Sequence, residues 1–186
     1  MFGDGEFDTG EMLVDGKRVT VHNERQALAN GIVLIPEDRK NDGLILSRSI
    51  GENITMMSLK EISNAGILSG AKEKKTIADA IKRMSIKVFS SDLPVGSLSG
   101  GNQQKVVVSK WLARNSRVVI FDEPTRGIDV AAKVEIYNIM NRLKKEGIAV
   151  IFVSSEMPEI LGMSDRIIVM CDGRITGFID GKDATQ

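Results

Sequence analysis

The stretch Leu98–Asp129 reads LSGGNQQKVVVSKWLARNSRVVIFDEPTRGID, and the changes of pattern inside it decide the fold. The glycine-rich loop that closes with Ser99, Gly100 and Gly101 enters a helix through Lys105, Val108, Trp111 and Leu112. Arg117 then precedes an apolar run, Val118–Phe121, of the kind found in buried strands, and it ends in two acids, Asp122 and Glu123. Asp129 is placed to cap a helix with Val130, Val134, Tyr137, Met140 and Leu143 on one face, Lys144 and Lys145 in its last turn and Gly147 as its stop. A second apolar run, Ile148–Val153, predicts another buried strand. Strands of this type alternating with amphipathic helices predict an α/β fold with a sheet covered on both faces.

Outward from this core, the N-terminal side begins with two short β-type runs around Asp15-Gly16, a hairpin signal because both positions tolerate positive φ. Glu24–Asn30 reads as a short helix stopped by Gly31, and Ile32–Ile35 as a strand ended by Pro36, after which Glu37 and the rest of EDRK open a loop. Between Leu44 and Val95 the period becomes helical, with Ile77, Ile81, Met84 and Val88 about one turn apart. On the C-terminal side, Glu156–Leu161 is helical, and Arg166–Met170 and Arg174–Ile179 form a hairpin through Asp172-Gly173. Three parts are expected: a β-rich part over 1–40, a helical sub-domain over 41–97, and the remaining core over 98–186.

Composition narrows the class. Apolar residues are 42% and charged residues 27% of the chain, near the soluble average, so neither disorder nor a fibrous repeat is indicated. Twenty-five basic residues balance 25 acidic ones, which removes bulk charge as a means of binding nucleic acid or an anionic membrane. Cys171 is the single cysteine, so an internal disulfide is impossible and a reducing compartment is expected. Apolar runs fall far short of the roughly 20 residues that span a bilayer. The scattered methionines read as core filling, and Asp4, Asp8 and Glu11 lack EF-hand spacing.

Two features point to chemistry. Asp122-Glu123 ends an apolar strand, where a parallel sheet places its ligand crevice, and paired carboxylates there can divide metal binding and water polarisation between them. Ser99-Gly100-Gly101 precedes a helix, so free N–H groups and the helix dipole can face an anion that approaches the backbone closely. Taken singly, each also fits a structural role: a chain returning to solvent, or a glycine-rich N-cap.

The conjunction is more specific. LSGGNQQK at 98–105 resembles the signature of ABC-type ATPases, VVIFDEPT at 118–125 their Walker B strand, and RGID at 126–129 their D-loop, in the family's order and spacing. With EPTRGIDVAAKVEIY and VSSEMPEILGMSDRIIVM, the chain is similar to the C-terminal nucleotide-binding half of ATPases that energise ribose, galactose or xylose import. The resemblance implies an ABC-type, RecA-like core with an N-terminal antiparallel hairpin and a helical insertion. It implies that Asp122 assists Mg²⁺, that Glu123 is the catalytic base, and that Ser99, Gly100, Gly101 and Gln103 act on ATP held by a partner. Asp129 then belongs to the D-loop, Glu37 stands at the Q-loop glutamine, and Ser155 stands where a histidine usually contacts the γ-phosphate. The implied partners are a P-loop-bearing ABC half in a head-to-tail dimer and integral membrane permease subunits. The implied location is cytoplasmic, on the inner face of the cell membrane, without contact with the sugar itself.

The chain also departs from that pattern. No G-x-x-x-x-G-K-[ST] loop occurs in it, and MFGDGEFDTGE resembles the segment after the family's P-loop helix, so a truncated half lacking the P-loop strand and helix is expected. Losing the P-loop lysine and two amides forfeits roughly 4 kcal/mol, about a thousandfold in affinity, so tight ATP binding by the isolated chain is not expected. Exposed core surface, oligomerisation or a partner filling the gap is expected instead. Ser155 offers one neutral hydrogen bond where histidine offers charge, and His22, the one histidine, lies near the first hairpin. Two alternatives therefore stand beside an energy-coupling ATPase: a catalytically silent half that completes its partner's site, and a non-transport ABC protein, which zero net charge disfavours.

Overall fold

The computed structural model describes residues 9–112 and 116–185. The opening residues compared above with a post-P-loop segment, 1–8, lie outside them. The chain divides into two units, Met1–Phe152 and Val153–Gln186.

In the first unit, β1 (Met12–Val14) and β2 (Lys17–Val19) pair antiparallel with Val14 opposite Lys17. Asp15 and Gly16 turn the chain with φ of 51° and 73°, the two positive values that a twist-matched two-residue hairpin needs. Asn23 caps α1 (Glu24–Ala29) by accepting the Gln26 N–H. Val14, Val21, Ala27, Ile32 and Ile120 then bury together, which ties hairpin and helix to β3 (Ile32–Ile35) and β6 (Val118–Asp122). β3 and β6 run parallel with Ile35 opposite Phe121, and β7 (Ala149–Val153) completes the order β3-β6-β7.

The region between β3 and the glycine-rich loop is helical with one addition. A capping box of Ser49 and Glu52 starts α2 (Ile50–Thr55), and α3 (Gly70–Met84) carries the expected stripe of Ile77, Ile81 and Met84. Ser85, at φ 50°, ends α3, so Val88 lies beyond the helix. Between α2 and α3 sits a hairpin that the helical period hid, β4 (Ser63–Asn64) with β5 (Ile67–Leu68).

α4 (Gly100–Leu112) is the central helix, packing on β3, α2, α3 and α5 (Val130–Lys145), with Val106, Val107 and Val108 fully buried. α5 corrects one expectation. Its buried face is Ile136, Ile139, Met140 and Leu143, while Val130 and Val134 are 79% and 51% exposed. The cause is local: a Cβ at Gly101 would stand 2.5 Å from that of Ala132, so the two helices meet most closely at Ala132. Residues two positions to either side of it are turned about 200° away.

β7 corrects another. Its apolar run predicted a buried strand, yet Ile151 and Val153 are 37% and 53% exposed. β7 is the outer strand of the three, whereas β6 has a neighbour on each side and is buried along its middle.

The second unit holds α6 (Met157–Met163) and a hairpin of β8 (Arg166–Cys171) and β9 (Arg174–Asp180). As expected, Asp172 and Gly173 form its turn, with φ of 47° and 73°. Ile168 pairs with Phe178 and Met170 with Ile175, and all four are exposed. Among the described residues no helix is long and apolar enough to cross a membrane.

Candidate functional site

Because β3 and β6 are parallel and in register at Ile35 and Phe121, both chains leave the sheet at the same edge. Pro36-Glu37 leaves one strand there, and Asp122-Glu123 the other. This carboxyl edge is where open α/β sheets take their ligands. A cavity of about 560 Å³ lies instead around the opposite end of β3, lined by Val14, Lys17, Asn30, Gly31 and Arg117 among others. That cavity lies at the amino end of the parallel pair, so the carboxyl edge, where such sheets take ligands, is the better candidate.

Asp122 and Glu123 are both partly buried. Glu123 has φ of 42°, a left-handed conformation that costs a non-glycine residue about 1–2 kcal/mol and that clusters at functional sites. The following turn holds it: the Arg126 N–H donates to the Glu123 carbonyl at 3.1 Å, and the Ile128 N–H to that of Thr125 at 3.3 Å. Asp129 then starts α5, its Oδ1 accepting the Ala132 N–H at 3.0 Å.

After Glu37 the chain forms a single π turn, Arg39–Gly43, a rare geometry enriched at functional sites. Asp38 caps it. Its carboxylate accepts the Lys40 and Asn41 N–H groups at 3.0 and 3.1 Å and the Asn41 Nδ2 at 2.7 Å. Hydrogen bonds from Asn41 foremost hold this carboxyl below its usual range. At the far end the Gly43 carbonyl accepts Lys110 Nζ of α4 at 3.0 Å, and burial pushes that ammonium's pKa down.

The start of α4 meets both loops. The Arg39 guanidinium donates to the carbonyls of Arg126 at 2.9 Å and Gly127 at 3.3 Å, and Arg126 forms an ion pair with Glu37. A Cβ at Gly100 would stand 2.9 Å from Arg39 Nη2. Ser99 is exposed, its Oγ accepting Asn102 Nδ2 at 3.1 Å. Gln103 and Gln104 are buried, with Gln103 Nε2 directed at the Val95 carbonyl, 3.5 Å away. Lys105 is buried too, donating to the Ser85 carbonyl at 3.0 Å and paired with Glu135 at 2.6 Å.

Of the residues singled out from sequence, Glu37, Ser99, Gly100, Gly101 and Asp129 therefore sit in one linked network, and Asp122 and Glu123 end the strand beside it. Gln103 stands in that network as an inward-facing support. Ser155 lies in the second unit, exposed, next to Ser154, whose Oγ donates to Glu159 at 3.0 Å. Sequence reading passed over Arg39, Asn102, Lys110 and Arg126. The signal available was the charge density of EDRK directly after a strand end.

The donor set suits a cation held mostly by phosphate and water. Asp122 and Glu123 stand at the strand end, and among the described residues no three His, Cys, Asp or Glu side chains form a cage; Mg²⁺ beside nucleotides is commonly bound by one or two carboxylates with phosphate and water. The start of α4 at Gly100, with exposed Ser99 beside it, is the helix N-terminus an anion would meet.

Comparison with known proteins bears on the family and the fold. The chain is 50% identical over all 186 residues to the ribose import ATP-binding protein RbsA of Oceanobacillus iheyensis, covering 38% of that protein. It is 51% identical over 177 residues, 95% of the chain, to the xylose import ATP-binding protein XylG of Moorella thermoacetica, covering 35% of it. The chain thus spans less than two-fifths of the length of these relatives. In fold it resembles cbiO1 of Clostridium perfringens, part of an ABC transporter complex, with a TM-score of 0.78 and 24% identity over 97% of this chain and 69% of that one. It likewise resembles MJ1267, an ATP-binding cassette of an ABC transporter, with a TM-score of 0.81 and 19% identity over 98% of this chain and 74% of that one. The ABC transporter family profile matches residues 1–126, and the chain belongs to that family.

Proposed function

We propose that the chain is an energy-coupling part of an ABC importer for monosaccharides, in which its signature turn completes an ATP site whose P-loop belongs to a partner half. The supporting observation is the first turn of α4: Ser99 is exposed while Gly100 and Gly101 are locked against Arg39 and Ala132. A glycine turn held in place at a helix start, with an exposed serine beside it, is preorganised for a phosphate that arrives from outside the chain. The relatives' names, ribose and xylose import ATP-binding proteins, supply the substrate class.

In this reading, Asp122 carries the carboxylate for Mg²⁺, which would neutralise phosphate charge when bound. Glu123, in its strained turn, accepts a proton from the attacking water. Asp129 and the loop before it line the partner's face, and Glu37 stands at the Q-loop position. Gln103 braces the turn from inside, and Ser155 donates a neutral hydrogen bond where a histidine is usual. Closure of two halves on ATP, followed by hydrolysis, then drives membrane permease subunits from the cytoplasmic side.

Turnover of ATP by this chain mixed with a P-loop-bearing ABC half tests the reading. Ser99→Arg is expected to lower the rate at least tenfold by filling the phosphate approach, and an unchanged rate contradicts it. Ser155, neutral in place of a histidine, favours a second reading in which the chain completes the partner's site without hydrolysis of its own. In that case Glu123→Gln leaves the mixture's rate unchanged while Ser99→Arg still lowers it.

A further inference from the structure

The π turn after β3 and the loop after β6 are joined by two straps that neither a strand end nor a helix cap requires. One is the Arg39 guanidinium, whose Nη1 and Nη2 donate to two successive carbonyls, those of Arg126 and Gly127, 87 and 88 residues away in sequence. Turning both carbonyls to one side is eased by Gly127, at φ 66°. The other strap is the ion pair of Glu37 with Arg126. Arg39 also meets α4, since its Nη2 occupies the space that a Cβ on Gly100 would need. Its Nε is buried without a hydrogen-bond partner, so the guanidinium lies where it does despite a local cost, held by the contacts its other nitrogens make.

The turn that carries Arg39 is itself anchored at both ends, by the Asp38 carboxylate at its start and by buried Lys110 of α4 on the Gly43 carbonyl at its end. A Cβ on Gly43 would stand 3.0 Å from Val107 Cγ2, so this end is packed against α4 as well. Movement of the 37–43 segment therefore has two rigid outlets, into the 126–129 loop and into the first turn of α4.

We infer that Arg39 is a positioning residue that locks the 126–129 loop and the Ser99–Gly101 turn into one surface and makes both follow the segment after β3. The inference rests on the function proposed above, because that surface is the one offered to a partner's nucleotide. A planar guanidinium with two parallel donors is needed for this task. A lysine ammonium has donors but no rigid planar fork and a shorter reach, so the charge is retained and the geometry lost.

The test uses the full chain with Arg39→Ala and Arg39→Lys, and two readouts. In the chain alone, amide exchange over residues 126–129 is expected to quicken about tenfold or more in both variants, the loss of one charge-assisted hydrogen bond or more, while amides of α5 near Leu143 keep their protection. In the mixture with a P-loop-bearing half, kcat is expected to fall by about tenfold or more with the KM for ATP little changed, since the residue touches no nucleotide. Unchanged exchange over 126–129 overturns the inference whatever the turnover. Faster exchange with full turnover, in a mixture that Ser99→Arg silences, overturns it while leaving the proposed function intact. A mixture indifferent to Ser99→Arg overturns both.

Discussion

The neighbouring strands β6 and β7 have similar sequences, VVIFD and AVIFV, and opposite surroundings. Val119 and Phe121 of β6 are fully buried, because β6 lies between β3 and β7. β7, the outer strand, leaves Ile151 and Val153 in contact with solvent. An apolar run thus reports that a segment pairs as a strand, and its neighbours decide whether it becomes core. Exposed apolar side chains of this kind, on β7 and on the β8–β9 hairpin, contribute little to stability until something covers them.

Truncation sharpens the contrast most. Phe121→Ala is expected to cost about 3–5 kcal/mol in urea unfolding, the range for a buried aromatic emptied from a packed core. Val153→Ala is expected to cost under about 1 kcal/mol, since Val153 is 53% exposed. Equal costs would mean that β7 is covered in solution.

A smaller effect probes what rotates α5. Gly101→Ala places a methyl group 2.5 Å from Ala132 Cβ, and overpacking of this sort costs about 1–3 kcal/mol. Adding Ala132→Gly should return most of that loss, and a failure to rescue would remove Gly101–Ala132 as the contact that sets the helix face.

The smallest effect is electrostatic. The hydrogen bond from Lys105 foremost holds the Glu135 carboxyl below its ordinary value of 4.5, with desolvation next and opposed, then the charges of Lys105 and Lys87 lowering it and that of Asp129 raising it. A lowered folded-state pKa gives stability that is present above the unfolded value and lost as pH falls through the folded one. The chain should therefore lose stability below about pH 4.5 more steeply than Glu135→Gln, measured as the urea midpoint against pH. Parallel curves would mean that the Lys105–Glu135 pair adds nothing in solution.

What could be read in advance was local. The turns at Asp15-Gly16 and Asp172-Gly173 follow from two residues that accept positive φ, and the Asp129 cap follows from a short acceptor ahead of a helical period. The exposure of β7 and the rotation of α5 were not legible, because each depends on a partner far along the chain. The β4–β5 hairpin was hidden because strands of two residues carry no period. At the candidate site, the strand-end acids and the glycine turn stood out by residue type. Arg39 did not, since a five-residue π turn has no repeat to detect and its carbonyl partners lie 87 and 88 residues away.

The central claim is that the Ser99–Gly101 turn closes on a nucleotide held by another ABC half. Sedimentation of this chain carrying Glu123→Gln with a P-loop-bearing half whose own catalytic carboxylate is also replaced, so that ATP persists, tests it directly. A heterodimer is expected with ATP and Mg²⁺, absent with ADP and abolished by Ser99→Arg. A dimer that forms equally in all three conditions, or that never forms, would contradict it.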